Sequence, residues 1–110
     1  MEMKVDEVDG LTRIALVGKL DIKGAEEIDL KFTSIAGTRD KVAIDLSGVD
    51  YMASMGIRML VTCGKSAARR GHKLAMYAAQ EPVGKVITTS GLDQVVPLAA
   101  DWNAAAALLA

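Results

Sequence analysis

Short β-branched runs recur along this chain, and the segments between them carry apolar residues at helical spacing. That alternation restricts the fold to a sheet with helices packed against it. Met3 to Val17 reads as two strands, the stronger being Arg13-Ile14-Ala15-Leu16-Val17, separated by Asp9-Gly10, a dipeptide suited to the positive φ angles of a tight hairpin turn. After Gly18-Lys19-Leu20-Asp21, the spacing of Ala25, Ile28, Phe32 and Ile35, with charged residues between them, predicts an amphipathic helix ending near Gly37. Lys41 to Leu46 predicts a strand covered on both faces, and Ser47-Gly48-Val49-Asp50 a loop. A second helix is expected from Ser54 to about Arg70, closed by Gly71, with Arg69 and Arg70 against the negative end of its dipole. Lys73 to Tyr77 predicts a strand. Glu81-Pro82 opens a third helix with Val83, Val86 and Ile87 inward and Gly91 beyond its end. A last strand is expected over Val95 to Leu98, and a final helix capped by Asp101. The order is β-β-α-β-α-β-α-β-α, a mixed, mostly parallel sheet flanked by about four helices.

A length of 110 residues supports one domain with one core. Apolar residues make up 51% and charged residues 25%, with a formal net charge of -1, an ordinary globular balance. The basic stripe of a nucleic-acid binder is missing, so any role in transcription is expected to be indirect. The N-terminal MEMKVDEVDG has no apolar signal region, and no segment approaches the roughly 18 apolar residues of a membrane span, which points to a cytoplasmic protein. The lone Cys63 has no disulfide partner, and one cysteine with one histidine makes no structural zinc site.

The helix opening at Ser54 is the informative element. Ile57, Leu60, Val61, Gly64 and Ala68 fall on one side and are expected to face the core, with Gly64 and Ala68 allowing close approach. Met55, Arg58, Met59, Thr62 and Ser66 line the opposite side, an outward patch that fits a partner but also fits ordinary surface residues. Ser54 stands where the loop enters the helix. Its hydroxyl suits an N-cap, and a phosphate there would meet the same backbone donors. Phosphorylation would add roughly -1.5 to -2 charges at the edge of the patch and disfavour an apolar contact. Position alone leaves the capping and regulatory readings both open.

The stretch Asp45-Leu46-Ser47-Gly48-Val49-Asp50-Tyr51-Met52-Ala53-Ser54-Met55-Gly56-Ile57-Arg58-Met59-Leu60 resembles the central signature of STAS domains of the anti-sigma factor antagonist kind. Gly18-Lys19-Leu20-Asp21 upstream and Ser90-Gly91-Leu92 downstream also resemble family motifs, so the likeness spans nearly the whole chain. It implies the STAS (SpoIIAA-like) α/β fold. It also implies that Ser54 is the phosphorylated serine, that the kinase is a GHKL-type ATPase doubling as the anti-sigma factor, and that a PP2C-type phosphatase reverses the modification. Asp21 matches a family loop aspartate at the kinase contact, although a capping aspartate would read the same way. The implied partner surface comprises Asp21, Met52, Ala53, Met55, Gly56, Arg58, Met59 and Thr62. Ala53 departs from the aspartate often found before the family serine, which bears on kinase recognition.

Other features point nowhere. Gly64-Lys65-Ser66 ends like a phosphate-binding loop but lacks the glycine five residues earlier and falls within a helix. His72 reads as a solvated turn residue, Cys63 as a small buried side chain, and Trp102 as a packing residue. No nucleophile-base arrangement, paired carboxylates or dinucleotide loop appears, so neither an enzyme nor a cofactor is expected. Two rival readings are an accessory subunit of an ABC-type lipid transporter and a module that binds a nucleotide or small molecule.

Overall fold

A computed structural model describes residues 1–110. Strands β1 (Glu2–Val8) and β2 (Leu11–Leu20) form an antiparallel hairpin. Asp9 and Gly10 at its turn have φ of 51° and 80°, the left-handed pair that matches the strand twist. Strands β3 (Lys41–Met52), β4 (Lys73–Tyr77) and β5 (Leu98–Ala99) follow in parallel, giving the spatial order β1-β2-β3-β4-β5. The helices are α1 (Ile22–Thr38), α2 (Ser54–Arg69), α3 (Glu81–Ser90) and α4 (Trp102–Leu109). The expected element order and the mixed sheet are both present.

Side-chain alternation divides the core between the two faces of the sheet. On one face Ile14, Leu16, Val42, Ile44, Leu74 and Met76 pack against α1, α2 and α3. On the other, Ala43, Ala75, Tyr77 and Ala99 meet Ala105 and Leu109 of α4. Small residues let this short helix lie close to the strands. Asp101 caps α4 as expected, its carboxylate accepting from Ala104 N at 2.9 Å. Trp102 packs edge-on to Tyr77, ring centroids 5.6 Å apart. Above the same indole, at 5.6 Å, lies the Arg13 guanidinium, oriented by two bonds of 3.0 and 2.6 Å to the Asp6 carboxylate. Hydrogen bonding from Arg13 holds the Asp6 carboxyl below its ordinary range.

Two expected boundaries differ. Ser47 to Asp50, read as a loop, continue β3, because this stretch pairs with the far end of β2 through Val17–Gly48 and Gly18–Val49. The register shifts between Ala15 and Val17 and again at Gly18 and Lys19, so the residues that looked like a turn serve an irregular strand pair. A Cβ on Gly48 would sit 2.9 Å from Val17 Cγ2 and 3.0 Å from Leu16 O, which explains the glycine. Helix α1 ends at Thr38, as expected near Gly37, and the Gly37 carbonyl accepts from Arg70 Nη1 at 2.9 Å. At the other end of the sheet, Leu92–Gln94 form a 3-10 turn and β5 is confined to Leu98–Ala99. Pro97 supplies only a carbonyl, which accepts from Met76 N at 2.8 Å.

Two glycines should respond oppositely to alanine. On Gly64 a Cβ would come within 2.6 Å of Val96 Cγ2 and 2.9 Å of Val95 Cγ1, whereas on Gly84 in α3 the nearest atom is Ala79 Cβ at 4.0 Å. Urea unfolding is expected to show Gly64→Ala destabilised by about 1–3 kcal/mol and Gly84→Ala stabilised by about 0.5–1 kcal/mol.

Candidate functional site

The site is built where β2 and β3 end together. Leu20 pairs with Met52, and Ala53 N donates to Leu20 O at 3.0 Å. The next residue of each strand leads into a helix, so Asp21 at the start of α1 stands beside Ala53 and Ser54 at the start of α2. Register alone makes them neighbours.

Asp21 is the N-cap of α1: its Oδ1 accepts from Gly24 N at 2.7 Å. Gly24 went unnoticed in the sequence, yet a Cβ there would collide with the Lys19 carbonyl. The helix must therefore begin with a bare backbone against the end of β2. Gly56 plays the matching part in α2, since a Cβ on it would lie 2.6 Å from Leu20 Cγ and 2.9 Å from Leu20 O. Both helix starts are seated on the Lys19–Leu20 backbone by glycines in their first turns.

Ser54 is not the cap it resembled. Ala53 occupies the N-cap position with no side-chain bond, and Ser54 is the first helical residue, exposed at the surface. Its hydroxyl takes no hydrogen bond within the chain, in contrast to the committed Asp21 carboxylate beside it. First-turn amides of α2 still give this end a positive dipole.

The facing of α2 is rotated from the expected one. Its buried residues are Gly56, Met59, Leu60, Cys63, Gly64 and Ala67. Ile57 and Val61, expected in the core, are half-buried, and Ala68 is exposed. Met59, expected outward, is only 8% exposed, and Met52 and Gly56 are also buried. The two backbone approaches at Gly56 and Gly64, rather than the bulk of Ile57 and Val61, set which side faces inward. Met55, Arg58 and Thr62 are exposed as expected.

These outward residues form one wall of an open groove of about 270 Å³ between α1 and α2, with Met59 beneath them. The opposite wall is Ala25, Glu26, Asp29 and Thr33 of α1. This wall was missed because α1 was read only for its core stripe; Glu26, Asp29 and Thr33 recur at i, i+3 and i+7, a second stripe in plain view. Cys63 is buried beside the groove, and burial, with Asp29 adding to it, pushes its thiol up to about 11, so it carries no thiolate near neutrality. His72 is half-buried rather than solvated, and its Nδ1 is buried without a partner.

Comparison with known proteins agrees with this architecture. The family model described as STAS domain matches residues 2–105. The chain belongs to the STAS domain family. A relative from Bordetella bronchiseptica named "Putative anti-sigma factor antagonist BtrV" is 26% identical over 108 residues, covering 97% of this chain and 93% of its own. An anti-sigma factor antagonist from Mycobacterium paratuberculosis superposes with a TM-score of 0.86 at 22% identity, over 98% of this chain and 92% of that one. The anti-sigma factor antagonist SpoIIAA matches in its unphosphorylated form with a TM-score of 0.74 (18% identity, 91% of this chain and 90% of that one). Its phosphorylated form, from Bacillus, matches with a TM-score of 0.68 (18% identity, 91% and 93%). No helix here is long and apolar enough to cross a membrane.

Burial separates the two methionines experimentally. Met59→Glu places a carboxylate in the core and is expected to cost at least about 2 kcal/mol in urea unfolding. Met55→Glu, at an exposed position, should stay within about 0.5 kcal/mol of the parent. Equal destabilisation of the two would mean that the helix is rotated from the orientation described.

Proposed function

We propose that this protein is a cytoplasmic anti-sigma factor antagonist that works by partner switching, with Ser54 as the switch. Unphosphorylated, it docks on a serine kinase of the GHKL ATPase type that doubles as an anti-sigma factor, and the kinase gives up the target it had held. Phosphorylation of Ser54 by that kinase ends the contact, and a PP2C-type phosphatase restores it. The observation that carries this reading is the exposed, unbonded Ser54 hydroxyl at the start of α2, set beside Asp21 at the end of the paired strands. Relatives named as anti-sigma factor antagonists, one of them solved in phosphorylated and unphosphorylated forms, support it.

The physical mechanism is local. A phosphate on Ser54 would gain from the first-turn amides and dipole of α2, so modification leaves the fold intact. It would add roughly -1.5 to -2 charges next to Asp21 and to the exposed Met55. A partner would then have to desolvate a dianion to reach an apolar side chain, against a neighbouring carboxylate. Asp21, Ala53, Met55, Arg58 and Thr62 form the direct contact in this scheme, while Met52, Gly56 and Met59 hold the contact surface from below. Ala53 adds no charge of its own, so the switch depends on the phosphate alone at this edge.

Calorimetric titration of the purified cognate kinase tests the scheme. Ser54→Ala is expected to take up no phosphate and to keep its affinity, while Ser54→Asp should bind about 10- to 100-fold more weakly, a loss of about 1.4–2.7 kcal/mol. Equal affinities for the two variants would rule out a charge-driven switch.

A further inference from the structure

We infer that the groove between α1 and α2 receives an amphipathic helix of the partner, about three turns long, with a basic residue on its α1 side and an acidic residue on its α2 side. This rests on the partner-switching reading and extends the contact from the Ser54 end along both helices.

Three features define the occupant. First, the groove has an apolar lining, with Met59 beneath and Ala25 and Met55 on opposite walls, and more apolar surface continues beyond it: Ile22, in line with the groove at its Ser54 end, is 60% exposed, and Leu30 on the outer shoulder of α1 is 87% exposed. Neither residue is among those packed against the core. Second, the walls are oppositely charged. Glu26 and Asp29 lie on α1 and Arg58 on α2, yet none of the three takes part in an ion pair within the chain. A partner with complementary charges can pair all three, and the acidic wall disfavours an anionic lipid surface. Third, the groove is bounded by two helices and has no sheet edge. An occupant finds no backbone partners there, so it must satisfy its own amides and carbonyls, as a helix does.

Length follows from helix geometry. From Ile22 to Thr33 the wall rises roughly 16 Å at about 1.5 Å per residue, which is room for about three turns. The Ser54 phosphate would stand at one end of this track, beside Met55, where it would oppose the same docked helix.

The test is titration of the purified kinase with the full chain carrying Glu26→Lys together with Asp29→Lys, and separately Ile22→Glu. All three positions are exposed, so melting temperatures should match the parent. Each variant is expected to bind the kinase at least about tenfold more weakly. A photoreactive residue in place of Thr33, at the end of the groove away from Ser54, should crosslink to a helical segment of the kinase that bears Lys or Arg. Parent-like affinity in the folded charge-reversal variant, or crosslinking only to a second copy of this chain, would overturn the inference. If Ser54→Asp weakens binding while the α1 variants do not, the groove assignment fails and the phosphoserine switch stands. If the α1 variants weaken binding while Ser54→Asp and Ser54→Ala bind alike, the groove is the docking site and the charge switch fails.

Discussion

The parallel pairing of β2 with the far end of β3 is the constraint on which the rest of the site depends. Strand β4 pairs with β3 only from Lys41 to Asp45, so the stretch of β3 that reaches Met52 extends past it and is held from the other side by β2. This two-stranded projection ends at Leu20 and Met52, and Ala53 N closes it with a bond to Leu20 O. The consequence is geometric. Two helices that are separated in sequence by an entire strand start side by side, and their first turns must fit against the same piece of backbone. Gly24 and Gly56 meet that demand, because a side chain at either would run into Lys19 or Leu20. Lost packing at either glycine would therefore disturb the relative placement of Asp21 and Ser54 as well as stability.

Much of this was legible in the sequence, and the failures have a common cause. The order of elements, the Asp9-Gly10 turn, the Asp101 cap and the outward position of Met55, Arg58 and Thr62 all follow from local chemistry, and local chemistry decided them. The Ser47–Asp50 segment misled because serine, glycine and aspartate signal a loop, while their actual partner, Val17 to Leu20, lies far away in the chain. The same holds for α2. Periodicity favours the side with Ile57 and Val61, yet close approach to Leu20 at Gly56 and to Val95 and Val96 at Gly64 turns the helix so that Met59 is buried. In each case the glycine answers to a tertiary neighbour, foreseen for Gly64 but not for Gly48 or Gly56.

The groove illustrates a different limit. Most of its α2 wall was apparent, because Met55, Arg58 and Thr62 read as an outward stripe, although Met59, read with them, is buried beneath. Its α1 wall was not, because Glu26 and Asp29 look like the solvated face of any amphipathic helix. Only the side-by-side placement of α1 and α2 gives those carboxylates a neighbour in Met55 and Arg58. A charged residue acquires meaning here from what lies across a space, which no one-dimensional pattern records.

Asp21 and Ser54 occupy nearly equivalent places at the starts of two paired helices, and the difference between them is instructive. The Asp21 carboxylate is committed to Gly24 N, so it fixes the start of α1. Ser54 stands one position later in its helix, after an alanine that supplies no cap, and its hydroxyl is left without a bond. Had Ser54 been the cap, modifying it would have removed a bond from the start of α2 and coupled the charge state to helix stability. In the proposed scheme, its place at the first helical residue leaves it free to change charge while the helix dipole favours the change. A switch of the proposed kind would be read by the surface around it rather than by unfolding, and the groove that begins at the next residue, Met55, is the surface best placed to read it.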